Sequence, residues 1–302
     1  MDSLDTEGLW AATLGCEVVL LVATDIEAAM LAPALRDGGE FLVAGKRVLL
    51  GELAPLSADP HASAPGCRVV LAVSGIDKVN AAHLLTCLLQ VMRPRPRLVL
   101  QAGIAGALPA VGEFVPAEIG DVVIATREAY SDTGSSSPFG WLSARELGWP
   151  IALLDGAETG GVFPADGGLV KAALQVVSEA ATHDETSALA AVRPEQHPRV
   201  FAGPCITASQ VTGVTAEASA LAERWEALAE SMEGAAAAHI CALYGVPFLE
   251  VRGISNLVGD RDRARWQVRR AVAAASWATR AIVDSLQKLP LPAQEAGPGG
   301  DA

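Results

Sequence analysis

The sequence predicts an α/β fold in which a mostly parallel sheet is covered by helices on both faces. Short, nearly continuous runs of Val, Leu and Ile alternate with runs of helical spacing along the chain. Hydrophobic residues make up 51% of the 302 residues and charged residues 19%, which suits one large buried core. No uninterrupted apolar stretch reaches the ~18 residues that a membrane span needs.

The elements follow in order. Glu17–Thr24 is a short apolar run read as the first strand, and Ile26–Leu35 is read as a helix. Gly51–Gly66 carries three prolines and reads as a loop. Cys67–Val73 is a second strand, leading through Ser74-Gly75 into a helix over Lys78–Met92, where Val79, Ala82, Leu85 and Leu89 recur at helical spacing. Leu98–Ala102 is a third strand, entered from the breakers Pro94 and Pro96. Asp121–Thr126 and Arg199–Thr207 are further strands, and Thr182–Pro198, polar with two prolines, is a loop between them. A helix over Gly234–Tyr244 feeds the strand Phe248–Ser255, and the last helix runs from about Arg261 to Leu286. The expected organisation is one domain over 15–288, an N-terminal extension over 1–14 and an unstructured tail over 289–302.

Charge and cysteine usage exclude several classes of function. Lys and Arg number 22 against 35 Asp and Glu, a net charge of −13, which argues against a nucleic-acid ligand. Aromatic residues at 5% also disfavour a base-stacking platform. The five cysteines are widely spaced and form no C-x-x-C, so neither a disulfide framework nor structural zinc is expected. The acidic N-terminus lacks the basic start of a secretory signal, and the reading is a cytoplasmic protein with no membrane association. The five histidines form no H-E-x-x-H or H-x-x-x-H, so no metal is expected. G-x-S-x-G is also missing.

Four motifs remain, each with a purely structural alternative. Gln101–Leu108 (QAGIAGAL) follows a strand, and its glycines allow a ligand close to the backbone. It matches neither G-x-G-x-x-G nor G-x-x-x-x-G-K-[ST], and taken alone it reads first as a tight strand-to-loop turn needed for packing. Met232-Glu233 opens the Ala-rich helix, where Glu233 is either a helix-capping acid or a carboxylate aimed at a polar ligand. Arg252–Asn256 (RGISN) ends the last strand, where α/β sheets bind ligands and where Asn also closes turns. Asp25-Ile26-Glu27 follows the first strand and fits either a site or a helix N-terminus. The arginines of Arg261–Arg270 read as a solvated helix face.

In this order the pieces resemble the purine nucleosidase/phosphorylase superfamily that includes methylthioadenosine/S-adenosylhomocysteine nucleosidase. The matching stretches are Ser74–Ala82 (SGIDKVNAA), Gln101–Leu108, Ile119–Ile124, Phe139-Gly-Trp141, Ser231-Met-Glu233 and Val246–Asn256. Glu250–Arg263 looks most like the futalosine hydrolase branch, which serves the alternative menaquinone route. The resemblance implies a three-layer α/β/α single domain around a mixed, partly barrel-like central sheet, assembled as a homodimer or larger homo-oligomer, with a nucleoside substrate and no cofactor. It implies that Glu27 activates water, that Glu233 binds the ribose hydroxyls and that Asn256 reads the purine. Gly103, Ile104, Ala105, Gly106, Ile206, Thr207, Met232 and Arg252 are implied as substrate-binding residues. Phe139 matches an aromatic lent to the 5′ pocket by a neighbouring subunit. Two positions depart from the family pattern: Asp77 replaces a glycine, and Ile104 stands where serine is frequent.

The implied chemistry is cleavage of an N-ribosidic bond through an oxocarbenium-like state, with one carboxylate stabilising developing charge and another taking a proton from water. The phosphorylase branch places an arginine where Gln101 stands, so hydrolysis is expected over phosphorolysis. Asn256 offers one donor and one acceptor, matching O6 and a protonated N7 of a leaving 6-oxopurine, whereas Asp matches adenine better. The expected product base is therefore hypoxanthine. An adenosyl-type nucleosidase of the same fold, a phosphorylase and a non-catalytic nucleoside-binding protein are the alternatives.

Overall fold

A computed structural model describes residues 6–56, 66–112, 115–154, 156–183 and 198–293. Helix α1 (Thr6–Thr13) precedes strand β1 (Val18–Val22), the short helix α2 (Asp25–Ala28) and the pair β2 (Leu35–Val43) and β3 (Lys46–Leu53). Strand β4 (Cys67–Val73), helix α3 (Lys78–Val91) and strands β5 (Leu98–Ala107) and β6 (Val122–Tyr130) follow. A run of short strands comes next: β7 (Gly134–Ser137), β8 (Gly140–Ser143), β9 (Ala152–Leu154), β10 (Ala157–Thr159) and β11 (Val162–Pro164). The chain ends with α4 (Gly167–His183), β12 (Val200–Thr207), α5 (Thr215–Trp225), β13 (Ala229–Ser231), α6 (Gly234–Tyr244), β14 (Phe248–Leu257) and α7 (Val268–Asp284).

The main sheet is mixed and partly closed. Strand β5 pairs with β14, β14 with β6, β6 with β12, β12 with β13, and β13 returns to β5. Apolar residues from all five strands fill this ring, most of them small, among them Ala105, Ala125, Cys205, Ala229 and Ile254. From β5 the sheet continues as an open wing through β1, β4, β3 and β2. Period-2 alternation divides the wing's side chains between two cores. Val18, Leu20 and Val22 of β1 join a core with α4 and α7, while Val19 and Leu21 join one with α3 and α6. This is the expected three-layer α/β/α domain.

Several elements differ from expectation. Ile26–Leu35 is not one helix: α2 stops at Ala28, a 3-10 turn spans Ala32–Ala34, and Leu35 begins β2. Pro33 cannot supply the N–H a continuing helix needs. Gly51–Leu53, expected in a loop, completes β3. The glycine-rich segment is no turn, because β5 runs through Gly103 and Gly106 to Ala107. Helix α7 starts at Val268, and Arg263–Arg265 form a separate 3-10 turn. Residues 6–13 of the expected extension form α1, whose Leu9 is buried in the core with α3. The expected loop at 184–197 and the tail from 294 lie outside the described residues, as do His61 and His197.

Candidate active site

The site sits where the open wing meets the barrel, beyond the carboxyl end of β1 and along the C-terminal half of β5. Thr24 caps α2, and Glu27 at the third helical position completes a capping box with it. Oε2 of Glu27 accepts hydrogen bonds from the main-chain N–H of Ala23 at 2.9 Å and of Thr24 at 3.0 Å. Oε1 accepts from the N–H of Ile104 on β5 at 2.9 Å. Oε2 also accepts from the Thr24 hydroxyl at 3.2 Å, so the carboxylate serves the capping box, accepts four hydrogen bonds and still lines a cavity of about 280 Å³.

Gly103 makes this possible. A β-carbon there would collide with Oε1 of Glu27 and lie 2.7 Å from Nη1 of Arg252. The glycine segment therefore serves the close approach of a side chain from helix α2 and one from the neighbouring strand β14, and not a turn.

Glu233 precedes α6 but makes no capping bond. Its Oε1 accepts from the N–H of Asp77 at 3.1 Å, and its Oε2 lies 3.3 Å from Nη2 of Arg252. Burial pushes the Glu233 carboxyl pKa up, the Arg252 cation works against this, and nearby Glu27 adds to it. Asp77, standing in place of the family's glycine, has φ of +87°, a region that disfavours side chains with a β-carbon. Its carboxylate accepts from the Ser209 hydroxyl at 2.7 Å.

Arg252 is fully buried and does not line the cavity. Its Nε donates to Oε1 of Glu250 at 2.5 Å, and its Nη1 to the carbonyl of Ile104 at 3.2 Å. Burial opposes the cation, but Glu250, Glu233 and Glu27 together outweigh it and push its pKa up. Arg252 is the beam that holds Glu233 in place. Behind it, Glu128 accepts from the Thr207 hydroxyl at 2.7 Å, and Thr207 in turn accepts from the N–H of Ala235 at 2.8 Å. Burial, then the charge of Glu250, raises the Glu128 pKa well above the ordinary carboxylate range. One oxygen each of Glu128 and Glu250 has no other partner, and a proton on Glu128 shared with Glu250 satisfies both.

Asn256 lines the other side of the cavity. Its Oδ1 accepts from the Ser255 hydroxyl at 2.7 Å, and its Nδ2 donates to the Leu257 carbonyl at 3.1 Å. One hydrogen on Nδ2 and one lone pair on Oδ1 remain for a ligand.

Of the residues expected from sequence, Glu27, Ile104, Ala105, Gly106, Met232, Glu233 and Asn256 meet around this cavity. Gly103 and Arg252 lie directly behind its wall. Ile206 and Thr207 do not reach it: Ile206 is packed among Leu108, Leu221 and Val258, and Thr207 is taken by Glu128 and α6. Phe139 is 100% exposed in the β7–β8 hairpin and is not part of the cavity wall. Sequence reasoning missed Ile76, Val211, Thr212, Glu230 and Trp266, and it read Arg261 and Arg263 as a solvated helix face although both line the cavity. Among the described residues no group of His, Cys, Asp or Glu is placed to hold a metal, and none of the five cysteines forms a disulfide.

Residues 17–288 match the family model described as the Phosphorylase superfamily. A futalosine hydrolase of Streptomyces coelicolor is 35% identical over 192 residues, covering 63% of this chain and 66% of its own length. A futalosine hydrolase of Thermus thermophilus is 30% identical over 218 residues, covering 72% and 82%. A 5′-methylthioadenosine/S-adenosylhomocysteine nucleosidase of Bacillus thuringiensis is 28% identical over 273 residues, covering 90% and 99%. In fold, the native futalosine hydrolase of Helicobacter pylori is similar with a TM-score of 0.68 at 18% identity, covering 90% of this chain and 99% of that one. With the family model spanning both the carboxylate pair and the RGISN strand end, the chain belongs to the Phosphorylase superfamily and is an N-glycosidase within it.

Proposed function

We propose that this protein hydrolyses the N-ribosidic bond of futalosine, releasing hypoxanthine and dehypoxanthine futalosine, in the futalosine route of menaquinone biosynthesis. The observation that carries the reading is one cavity that brings together the carboxylates of Glu27 and Glu233 with the neutral amide of Asn256, where adenine would favour an acid. Glu233 takes the ribose hydroxyls and stabilises the oxocarbenium-like state. Glu27 takes a proton from the attacking water; its bond to the Ile104 N–H fixes the carboxylate for this task. Asn256 accepts from N7–H and donates to O6 of the departing base, and the N7 proton comes from solvent. Water is the only co-reactant, and no cofactor or metal is used.

Two features favour water over phosphate. Gln101 is buried and uncharged, and Arg252 is already committed to Glu250 and Glu233. Arg261 and Arg263 bring positive charge to the mouth of the cavity in a chain of net charge −13, which suits a substrate with an anion beyond its ribose. The alternative is a methylthioadenosine/S-adenosylhomocysteine or aminodeoxyfutalosine nucleosidase, favoured by the longer match to that family. The exposed Phe139 supports an assembly of two or more subunits, in which the partner subunit's Phe139 closes the 5′ side. Cysteines that form no disulfide suit a cytoplasmic enzyme, and among the described residues no helix is long and apolar enough to cross a membrane.

The test is a panel of futalosine, aminodeoxyfutalosine, inosine and methylthioadenosine, each with and without phosphate. Fastest release of base from futalosine, indifferent to phosphate, is expected. A fully active monomer in sedimentation would remove the shared-site part of the proposal.

A further inference from the structure

Glu230 is a buried acid to which the reaction above gives no part. It lies on β13, three residues before Glu233, and is 6% exposed. Its Oε1 accepts from the N–H of Thr212 at 3.0 Å, and its Oε2 meets the Thr212 hydroxyl at 2.5 Å. A carboxyl oxygen has two lone pairs, so each oxygen keeps one acceptor site. Burial of this group costs desolvation, a cost that an apolar residue in the same short strand would not carry.

Its position relative to Asn256 gives the acid a purpose. Gly106 on β5 is in register with Asn256 of β14 on one side and with Glu230 of β13 on the other. Residues directly opposite on neighbouring strands point to the same face, and all three line the cavity. A β-carbon on Gly106 would lie 2.8 Å from Cγ2 of Val258 and 3.2 Å from Nδ2 of Asn256. Over Gly106 the Val258 side chain and the Asn256 amide thus close in where a β-carbon would stand, and the cavity floor between the amide and the acid has no side chain of its own from β5. The flanking strands are two strand spacings apart, about 9.5 Å, a separation on the scale of a planar bicyclic ring with a hydrogen bond at each edge.

We propose that Glu230 reads the N1 edge of the base, accepting from the N1–H of a 6-oxopurine, and so selects hypoxanthine against adenine. This rests on reading the cavity as a purine nucleoside site. With Asn256 on N7 and O6, the ring edge that carries N1 turns toward Glu230. A 6-oxopurine offers a donor at N1, which a lone pair of Glu230 meets. A 6-aminopurine offers a lone pair at N1, which leaves two acceptors facing in a desolvated site. Sites built to hydrogen-bond one partner reject the analogue lacking it far more strongly than apolar pockets do. The Thr212 bonds hold the carboxyl in this orientation.

The test is calorimetric binding of free hypoxanthine and free adenine to the full-length wild type and to Glu230→Gln. The wild type is expected to bind hypoxanthine at least tenfold more tightly than adenine. In Glu230→Gln, whose amide can turn to accept or to donate, that ratio is expected to fall at least tenfold. If Glu230 only pins the Thr212 loop, both bases weaken together and the ratio stays put, which overturns the proposal. Should the variant fail to fold, 1-methylhypoxanthine is titrated into wild type. Loss of at least tenfold in affinity supports the proposal, and binding equal to that of hypoxanthine overturns it. Failure of the two readings is separable. Futalosine turnover with an unchanged base ratio removes the role of Glu230 alone. A falling ratio without futalosine turnover removes the substrate and keeps the base-reading residue.

Discussion

Gly103 leaves the space that the Glu27 carboxylate occupies when it accepts from Ile104 N–H at 2.9 Å. Gly103→Ala is therefore expected to displace either Glu27 or Arg252, with destabilisation of about 1–3 kcal/mol from overpacking. Turnover should fall by at least tenfold even where the protein stays folded, because a misplaced catalytic group loses its geometry. Thermal unfolding and kcat measured on the same sample check this. Wild-type kcat in the variant would show that the carboxylate has another position from which it works.

Glu27→Gln and Glu233→Gln should fail differently. The first removes the base and is expected to lower kcat by about 10²–10⁴ with little change in KM. The second disturbs ribose binding as well as charge stabilisation, so KM should rise while kcat falls. It also leaves Arg252 with one carboxylate fewer in a buried site, and a stability loss of about 3 kcal/mol or more is expected. Near-normal kcat in Glu27→Gln would reject its role.

Glu128 gives a prediction in pH. Burial first, and Glu250 second, raise its pKa well above the ordinary value. Between about 4.3 and that raised value the native state keeps a proton that the unfolded chain releases. The contribution of Glu128 to stability is thus fully present below the window and declines as pH rises through it, by about 1.4 kcal/mol per unit. Glu128→Gln mimics the protonated acid: it can accept from Thr207 and donate to Glu250 without titrating. Denaturant midpoints at a series of pH values should show the variant gaining on wild type as pH rises. Parallel curves would mean that Glu128 is not held protonated.

Asn256→Asp tests base choice from the other side of Gly106. The new carboxylate keeps the Ser255 bond but sets an oxygen against the Leu257 carbonyl, 3.1 Å from where Nδ2 now donates. Facing O6 it repels; facing an amino group and N7–H it accepts twice. A polar mismatch of about 1–3 kcal/mol should move the ratio of kcat/KM for futalosine to that for its 6-amino counterpart by one to two orders of magnitude toward the latter. An unchanged ratio would assign base reading elsewhere, with Glu230 the foremost candidate.

The parts of the site legible in the sequence are those with both a distinctive residue pattern and a fixed place in the fold. Glu233 and Asn256 are such residues, each at a strand-to-helix or strand end. Glu27 was legible for the same reason, although its capping box is also present. Ile206 and Thr207 are expected to bind substrate only through the family resemblance, but Thr207 is drawn inward by the buried acid Glu128, a partner 79 residues away in sequence. Glu230 was hidden because one acid in a three-residue strand has no periodicity to flag it. The β2–β3 pair was lost for a local reason. The apolar run Ile26–Leu35 imitates a helix until Pro33 stops it, and β2 carries an irregular register between Arg36 and Gly39 that breaks strand alternation.

The central claim is phosphate-independent cleavage of a 6-oxopurine nucleoside, and one measurement bears on it most directly. Wild-type protein is incubated with futalosine in phosphate-free buffer, and free bases and sugar products are separated by chromatography, then again with phosphate added. Hypoxanthine and dehypoxanthine futalosine should appear at the same rate in both. A requirement for phosphate with formation of a sugar 1-phosphate, or turnover confined to 6-amino nucleosides, would contradict it.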